Sequence, residues 1–322
     1  MDTRTFLATG QTIPALGVGC WQLGGKGWGR CARAELTAAL EQALALGVRL
    51  FDTAPIYGFG ESERALGKLL AGRPEETLVI SKGGLVWDSQ NRVRHDNTPT
   101  TLRRQLENSL QHLRRDTLDV FLLHWPDPSV PLGESVEALE RCRQQGLLRS
   151  WGVSNFSCAE VTRWRRESDA TIEPLVVELP LNLLGMDANG QRLDDSNALL
   201  TEAGRQGWDV VAFDVLARGI LGGAYDVSTR FGKRDVRRQD ARFEPGAFAQ
   251  HLRRAARLRE LAADLGTSTA ALALRAALDY PGVTAALVGI KSPQQVKENV
   301  KALDLKLPVA VRQELADMIG KA

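Results

Sequence analysis

Eight short apolar runs punctuate this chain, and each is followed by a polar loop and a stretch with helical periodicity. They are Leu16–Cys20, Val48–Phe51, Leu78–Ser81, Asp119–Leu123, Arg149–Val153, Leu175–Leu179, Asp209–Phe213 and Thr284–Val288. Apolar character that is continuous rather than alternating is what strands covered on both faces require. The intervening segments carry helix-start chemistry. Thr98 precedes Pro99, Ser157 stands three residues before Glu160 at the spacing of a reciprocal cap, and Ser292 precedes Pro293. Eight alternating β and α units without a linker predict an α/β fold, a (β/α)8 TIM barrel, as one domain over residues 1–322. An open doubly wound sheet would usually begin on a glycine-rich phosphate turn, and Gly17-Val18-Gly19 lacks the third glycine of that turn.

Two further segments matter. Thr5–Pro14, with Thr9-Gly10 between short extended pieces, reads as a β-hairpin able to plug the N-terminal end of the barrel. Gly222–Ala249 is the longest irregular stretch, mixing Lys233, Arg234, Arg237 and Arg238 with Asp235 and Asp240. A loop of that length reads either as a lid or binding loop or as a surface insertion.

Composition removes several classes of function. A net charge of +2 over 322 residues argues against a nucleic-acid partner. The basic clusters Arg163, Arg165, Arg166 and Arg253, Arg254, Arg257 read as solvated helix faces. No apolar run reaches the roughly 20 residues of a membrane span, and Met1–Arg4 shows no basic flank leading into an apolar stretch. Cys20, Cys31, Cys142 and Cys158 form no Cys-x-x-Cys pair, and the histidines lack metal-ligand spacing. The expectation is a cytoplasmic protein without a metal. Gly24-Gly25-Lys26-Gly27 lacks the leading glycine and the hydroxyl residue of a P-loop, and Gly152–Phe156 lacks the final glycine of a nucleophile elbow.

The strand ends carry the chemistry. Asp52 ends the second run, Tyr57 follows in the same loop, Lys82 ends the third and His124 the fourth. In a barrel these ends share one rim, so a carboxylate, a phenol, an ammonium and an imidazole converge on one small volume. Singly, each has an ordinary structural role as a cap, packing or solvated residue; together they suit proton transfer at a carbonyl. A free phenol, with a pKa of about 10, is a poor acid–base catalyst near neutrality. An adjacent ammonium lowers that value, and Asp52 supplies the ammonium's counter-ion. His124 would orient the substrate oxygen while hydride arrives from elsewhere.

With these residues in view, the chain resembles the aldo-keto reductase superfamily. The matching words are Phe51-Asp52-Thr53-Ala54 with Tyr57-Gly58, Ser81-Lys82, Leu123-His124-Trp125-Pro126, Gly152-Val153-Ser154-Asn155-Phe156 and Gly289-Ile290-Lys291-Ser292-Pro293 with Asn299. His124–Asp127 and Arg218–Leu221 are similar to words of a bacterial branch of that family. The resemblance implies a catalytic tetrad of Asp52, Tyr57, Lys82 and His124, with Tyr57 as general acid–base. It implies NADP as cofactor and a small carbonyl or alcohol (aldehyde, ketone or sugar) as substrate. Ser154, Asn155 and Glu178 would meet the nicotinamide carboxamide, with Phe213, Leu216 and Arg218 farther along the cofactor. Gly289, Lys291, Gln295 and Asn299 would hold the adenosine phosphate end, where a helix N-terminus beside Lys291 independently suits an anion. Trp21, Trp87 and Trp125 would wall the substrate pocket.

Three positions depart from the family pattern. Glu178 replaces a glutamine, and a carboxylate cannot donate to the amide carbonyl. Phe213 replaces a stacking tyrosine. Asp214 replaces a serine near the pyrophosphate, which its charge would repel unless Arg218 or another cation compensates. The two added acids leave open a redox-silent lyase, dehydratase or isomerase reusing Tyr57, Lys82 and His124. A non-catalytic channel subunit is a third reading, which the intact tetrad opposes.

Overall fold

The structure, a computed structural model, describes residues 1–29, 31–73, 76–167 and 176–320. The chain opens on an antiparallel hairpin of β1 (Thr3–Thr5) and β2 (Thr12–Pro14). There follow β3 (Leu16–Gly19), helix α1 (Arg33–Ala45), β4 (Leu50–Asp52), α2 (Glu61–Leu69) and β5 (Leu78–Gly83). A second hairpin, β6 (Leu85–Trp87) with β7 (Val93–His95), precedes α3 (Pro99–Leu113), β8 (Leu118–Leu123), α4 (Leu132–Gln144) and β9 (Leu148–Ser154). The remainder is α5 (Cys158–Glu167), β10 (Val176–Pro180), α6 (Asp194–Gln206), β11 (Asp209–Phe213), α7 (Pro245–Asp264), α8 (Thr269–Asp279), β12 (Ala285–Gly289), α9 (Pro293–Val300) and α10 (Val309–Gly320).

Strands β3, β4, β5, β8, β9, β10, β11 and β12 close into a barrel in which every neighbouring pair is parallel. Each expected run becomes one of these strands, with ends shifted by at most two residues and Asp209–Phe213 matched at both ends; Leu175, at the start of the sixth run, lies outside the described residues. The caps form as their chemistry requires. The Thr98 hydroxyl accepts from Thr101 N, Ser157 and Glu160 bond reciprocally, and the Ser292 hydroxyl accepts from Gln295 N. Arg165 pairs with Glu202, and Arg257 with Glu260 and Glu314, so these basic side chains are engaged within the fold.

The core divides into two layers. Between barrel and helices lies a large apolar mantle that includes Phe51, Val79, Phe121 and Leu66. Inside the barrel, Leu50, Leu78, Ile80, Val120, Leu122, Val176, Val211, Ala285 and Leu287 pack against Phe6 and Ile13 of the hairpin region. Phe6 is fully buried there, and Ala8 N donates to the Asp209 carboxylate at 2.8 Å, so the hairpin closes the N-terminal end as expected. Burying a side chain such as Phe6 contributes roughly 1.5–3 kcal/mol. This division fixes the site. Side chains alternate along a strand, so the residue two beyond each interior apolar residue also points inward, at the C-terminal mouth.

Candidate active site

Counting two from Leu50, Ile80, Leu122 and Val176 gives Asp52, Lys82, His124 and Glu178. One side chain from each of four strand ends therefore meets in the top layer of the barrel. The Lys82 Nζ donates to the Asp52 carboxylate and lies 3.2 Å from Glu178 Oε2, with the three side chains 0%, 6% and 5% exposed. The Glu178 contact is an ion pair by distance without hydrogen-bond alignment, and Oε2 has no hydrogen-bond partner. Ser154 donates to Glu178 Oε1 at 3.3 Å. Reading Glu178 only as a cofactor contact was incomplete, because its carboxyl joins the charge centre under Lys82.

Tyr57 and His124 stand beside this centre. The Lys82 Nζ is 5.7 Å from the centroid of the Tyr57 ring, and His124 meets that ring edge-on at 5.9 Å and 80°. Asn155, at φ 60°, donates from its side-chain amide to the His124 carbonyl at 3.0 Å and to the Ser154 hydroxyl at 3.1 Å. Trp21 stacks on Tyr57 at 5.8 Å. The two loops bearing these rings nest through glycine: a Cβ on Gly58, at φ 68°, would lie 2.2 Å from the Gly24 carbonyl oxygen. Trp87 leans on Phe59 and Trp125 on His95, both at least a third exposed, so of the three expected tryptophans Trp21 alone stacks on Tyr57.

The electrostatics differ from expectation in one respect. Burial pushes the Tyr57 phenol above its ordinary value, and the pull of Lys82 does not overcome it, because Asp52, Glu178 and Cys20 oppose that pull. Burial disfavours the Lys82 charge too, yet Asp52 and Glu178 more than compensate and hold the ammonium firmly protonated. Burial and the Lys82 charge keep His124 neutral, well below the usual histidine range. Burial, followed by the charge of Glu178, raises the Asp52 carboxyl well above its ordinary value despite Lys82. The expected lowering of the Tyr57 pKa is thus reversed in this state by desolvation.

At the barrel's other flank, β12 leads into α9, whose first turn is capped by Ser292. Lys291 Nζ donates to the Trp28 carbonyl at 3.1 Å, Lys291 N donates to Gln295 Oε1 at 2.8 Å, and Asn299 is buried. Gly289 is exposed at the strand end. Phe213 ends β11 half-buried against the barrel interior, and Leu216 packs on the mantle.

The model of the Aldo/keto reductase family matches residues 15–319 of this sequence. The aldo-keto reductase YhdN of Bacillus subtilis is 31% identical over 301 residues, covering 92% of this chain and 87% of its own length. The chain belongs to the aldo/keto reductase family. A structure of the glycerol dehydrogenase of Gluconobacter oxydans superposes on it with a TM-score of 0.86 at 32% identity, covering 99% of this chain and 95% of that one. An aldo/keto reductase from Klebsiella pneumoniae in complex with NADP and acetate shares the fold, with a TM-score of 0.73 at 24% identity and coverage of 99% and 96%.

Two parts of this aldo/keto reductase escaped the sequence reading. Asp214, at φ 56°, ion-pairs with Arg242 at 2.5 Å, and Arg242 also holds Asp240 at 2.8 Å while fully buried. Arg218 pairs instead with Asp240 at 3.3 Å, and its backbone N–H donates to Asp214. The acid near the expected pyrophosphate position is therefore neutralised, by a residue not singled out from sequence. A repeat was the available signal: Asp235-Val236-Arg237 and Asp240-Ala241-Arg242 each form a turn in which the aspartate caps and clamps the arginine two residues on. Arg242→Met should remove roughly 3–5 kcal/mol from the folding free energy by breaking a buried ion-pair network, leaving half-buried Asp214 without its cation and buried Asp240 with Arg218 alone, as read from urea unfolding. A loss below about 1 kcal/mol would contradict this role.

Trp28 is the second omission. Its ring lies 5.1 Å from Trp21 and 5.7 Å from both the Arg237 guanidinium and Lys291 Nζ, bridging the Tyr57 side to the α9 side. Val236 N donates to the Gly27 carbonyl at 2.9 Å, so the long loop lies against this bridge. No helix among the described residues is long and apolar enough to cross a membrane, and no cluster of metal-binding side chains occurs among them.

Proposed function

We propose that this chain is an NADP(H)-dependent oxidoreductase that moves a hydride between nicotinamide and a small aldehyde, ketone or sugar, with Tyr57 as general acid–base. One barrel domain spanning residues 1–322 would carry the whole reaction, and the free cysteines suit a reducing compartment such as the cytoplasm. One observation carries the reading: a buried ammonium, held by carboxylates, lies beside the Tyr57 ring and a neutral imidazole.

The residues fit the cofactor. Ser154 and Asn155 offer an alcohol and an amide beside the unpartnered Glu178 oxygen, a donor and acceptor set suited to a carboxamide. Phe213 offers an aromatic face, and Leu216 and Arg218 follow it on the same loop, where Arg242 cancels Asp214. Lys291 beside the capped start of α9, with Gln295, Asn299 and Gly289, forms an anion site suited to an adenosine phosphate. When bound in reduced form, the cofactor supplies the hydride.

The protein's own groups handle the proton. In reduction the Tyr57 phenol donates to the oxygen that gains charge, and the Lys82 ammonium stabilises the phenolate left behind. Neutral His124 donates one hydrogen bond to that oxygen and fixes its position without competing as an acid. Asp52 keeps Lys82 charged and aimed. Trp21, with Trp87 and Trp125 farther out, offers an apolar wall that excludes water. The glycerol dehydrogenase of Gluconobacter oxydans supports small hydroxylated compounds as one substrate class. The gathered tetrad disfavours a purely structural subunit, and the neutralised Asp214 removes one of the two features that favoured redox-silent chemistry.

Titration of tryptophan fluorescence with NADPH and NADH tests the cofactor assignment. Lys291→Met should weaken NADPH about tenfold, the loss of one charge-assisted contact of about 1.4 kcal/mol, and leave NADH nearly unchanged. Equal weakening of both would contradict a phosphate role for Lys291.

A further inference from the structure

Glu178 contributes an ionisable group to a centre already balanced by Asp52 and Lys82. One ammonium lies between two carboxyl groups that are each about 5% exposed. Both carboxyls contact the same Lys82 Nζ, which sets them side by side in one buried pocket. Two ionised carboxylates are acceptors only and could bond to one another only by sharing a proton. With both ionised, the pocket would also hold a net negative charge under the phenol, out of reach of water.

We propose that the Asp52 and Glu178 carboxyls share one proton beside Lys82 at neutral pH, so that the pair and the ammonium together carry no net charge. The inference takes its catalytic meaning from the reading of Tyr57 given above, but the proton itself is a property of the folded chain. Every charged or titratable group facing the pair is consistent with this assignment. Lys82 on β5 is cationic, His124 beyond β8 is neutral, and Tyr57 and Cys20 on the adjoining loops are held in their neutral forms by burial. Ser154 on β9 donates to Glu178 Oε1, and the other oxygen, Oε2, has no hydrogen-bond partner. A protonated carboxyl carries one donor and retains acceptor capacity, as a carboxamide does.

The same proton sets the state of the centre. While it is held, the pair and Lys82 together are neutral. When it leaves at higher pH, an extra negative charge appears next to Tyr57 and opposes formation of the phenolate needed for alcohol oxidation. Glu178 acts here through Lys82 and Tyr57, and for the proton step it is a positioning residue.

Infrared difference spectroscopy of the full chain near neutral pH tests the assignment without substrate or cofactor. The wild type should show the carbonyl stretch of one protonated carboxylic acid, lost in Glu178→Gln and equally in Asp52→Asn, because either variant leaves a single carboxylate that Lys82 keeps ionised. No such band in the wild type, or a band that survives both substitutions, overturns the proposal. Circular dichroism identifies a variant that fails to fold; the wild-type spectrum and the other variant then decide. As a kinetic counterpart, Glu178→Gln should move the alkaline limb of alcohol oxidation down by about one pH unit, and an unmoved limb counts against the coupling to Tyr57. A chain that turns over no carbonyl but shows the band would defeat the oxidoreductase reading and leave the shared proton standing. The reverse result would defeat only the shared proton.

Discussion

Tyr57→Phe should lower carbonyl reduction by roughly 10²–10⁴-fold, the range that a positioned general acid contributes, while NADPH affinity stays within about twofold. The half-buried Tyr57 side chain stacks on Trp21, so a phenyl ring keeps the stacking and loses only the proton. Steady-state kinetics separate the outcomes: kcat and kcat/KM should fall together, because the lost interaction exists in the transition state and not with bound cofactor. A variant retaining full turnover would remove Tyr57 from the proton path. Rescue by a small phenol is not expected, since Trp21 and His124 pack against the ring on two sides.

Lys82→Met should be the most destabilising single change in the barrel mouth, costing roughly 3–5 kcal/mol because it leaves Asp52 and Glu178 buried without a cation. The loss should depend on pH with a definite sign. Without the ammonium both carboxyls hold protons to higher pH in the folded state than in the unfolded chain. The folded form then binds more protons, so stability falls as pH rises through the raised values. Urea unfolding at about pH 5 and about pH 8 should show the variant closer to wild type at the acid end. A variant equally destabilised at both would place the defect in packing rather than in charge. Reduction should also fall, because nothing then stabilises the phenolate.

Much of this was legible before any coordinates. The eight apolar runs specify strands covered on both faces, and short polar connections leave a closed barrel as the simplest way to bury all of them. Asp52, Lys82 and His124 were readable because each directly follows or ends an apolar run, and strand ends of a parallel barrel share a rim. Glu178 obeys the same parity, two residues beyond Val176, but the family pattern drew attention to the cofactor and away from Lys82. The parity count alone would have placed it correctly.

What stayed hidden depends on long-range packing. Nothing local to Asp214 announces a partner 28 residues away, and Arg242 is buried only because two Asp-x-Arg turns fold the long loop inward. The hairpin of β6 and β7 was missed because each strand has only three residues, too few for alternation to be read. Its turn is nonetheless specified locally, with the Asp88 side chain accepting from Gln90 N and Arg92 N and Asn91 at φ 62°. The direction of the Tyr57 shift could not be foreseen because it depends on how far burial outweighs one nearby charge, a matter of density around the ring rather than of residue order.

The most direct trial of the central claim is a single-turnover experiment. The purified protein, preloaded with NADPH, is mixed with a panel of small aldehydes, ketones and sugars, and nicotinamide absorbance and alcohol product are followed together. The account predicts loss of reduced nicotinamide in step with one equivalent of alcohol for at least one of these compounds, and no such loss in Tyr57→Phe on the same timescale. Saturating NADPH binding with no hydride transfer to any carbonyl, or transfer that Tyr57→Phe leaves undiminished, would contradict it.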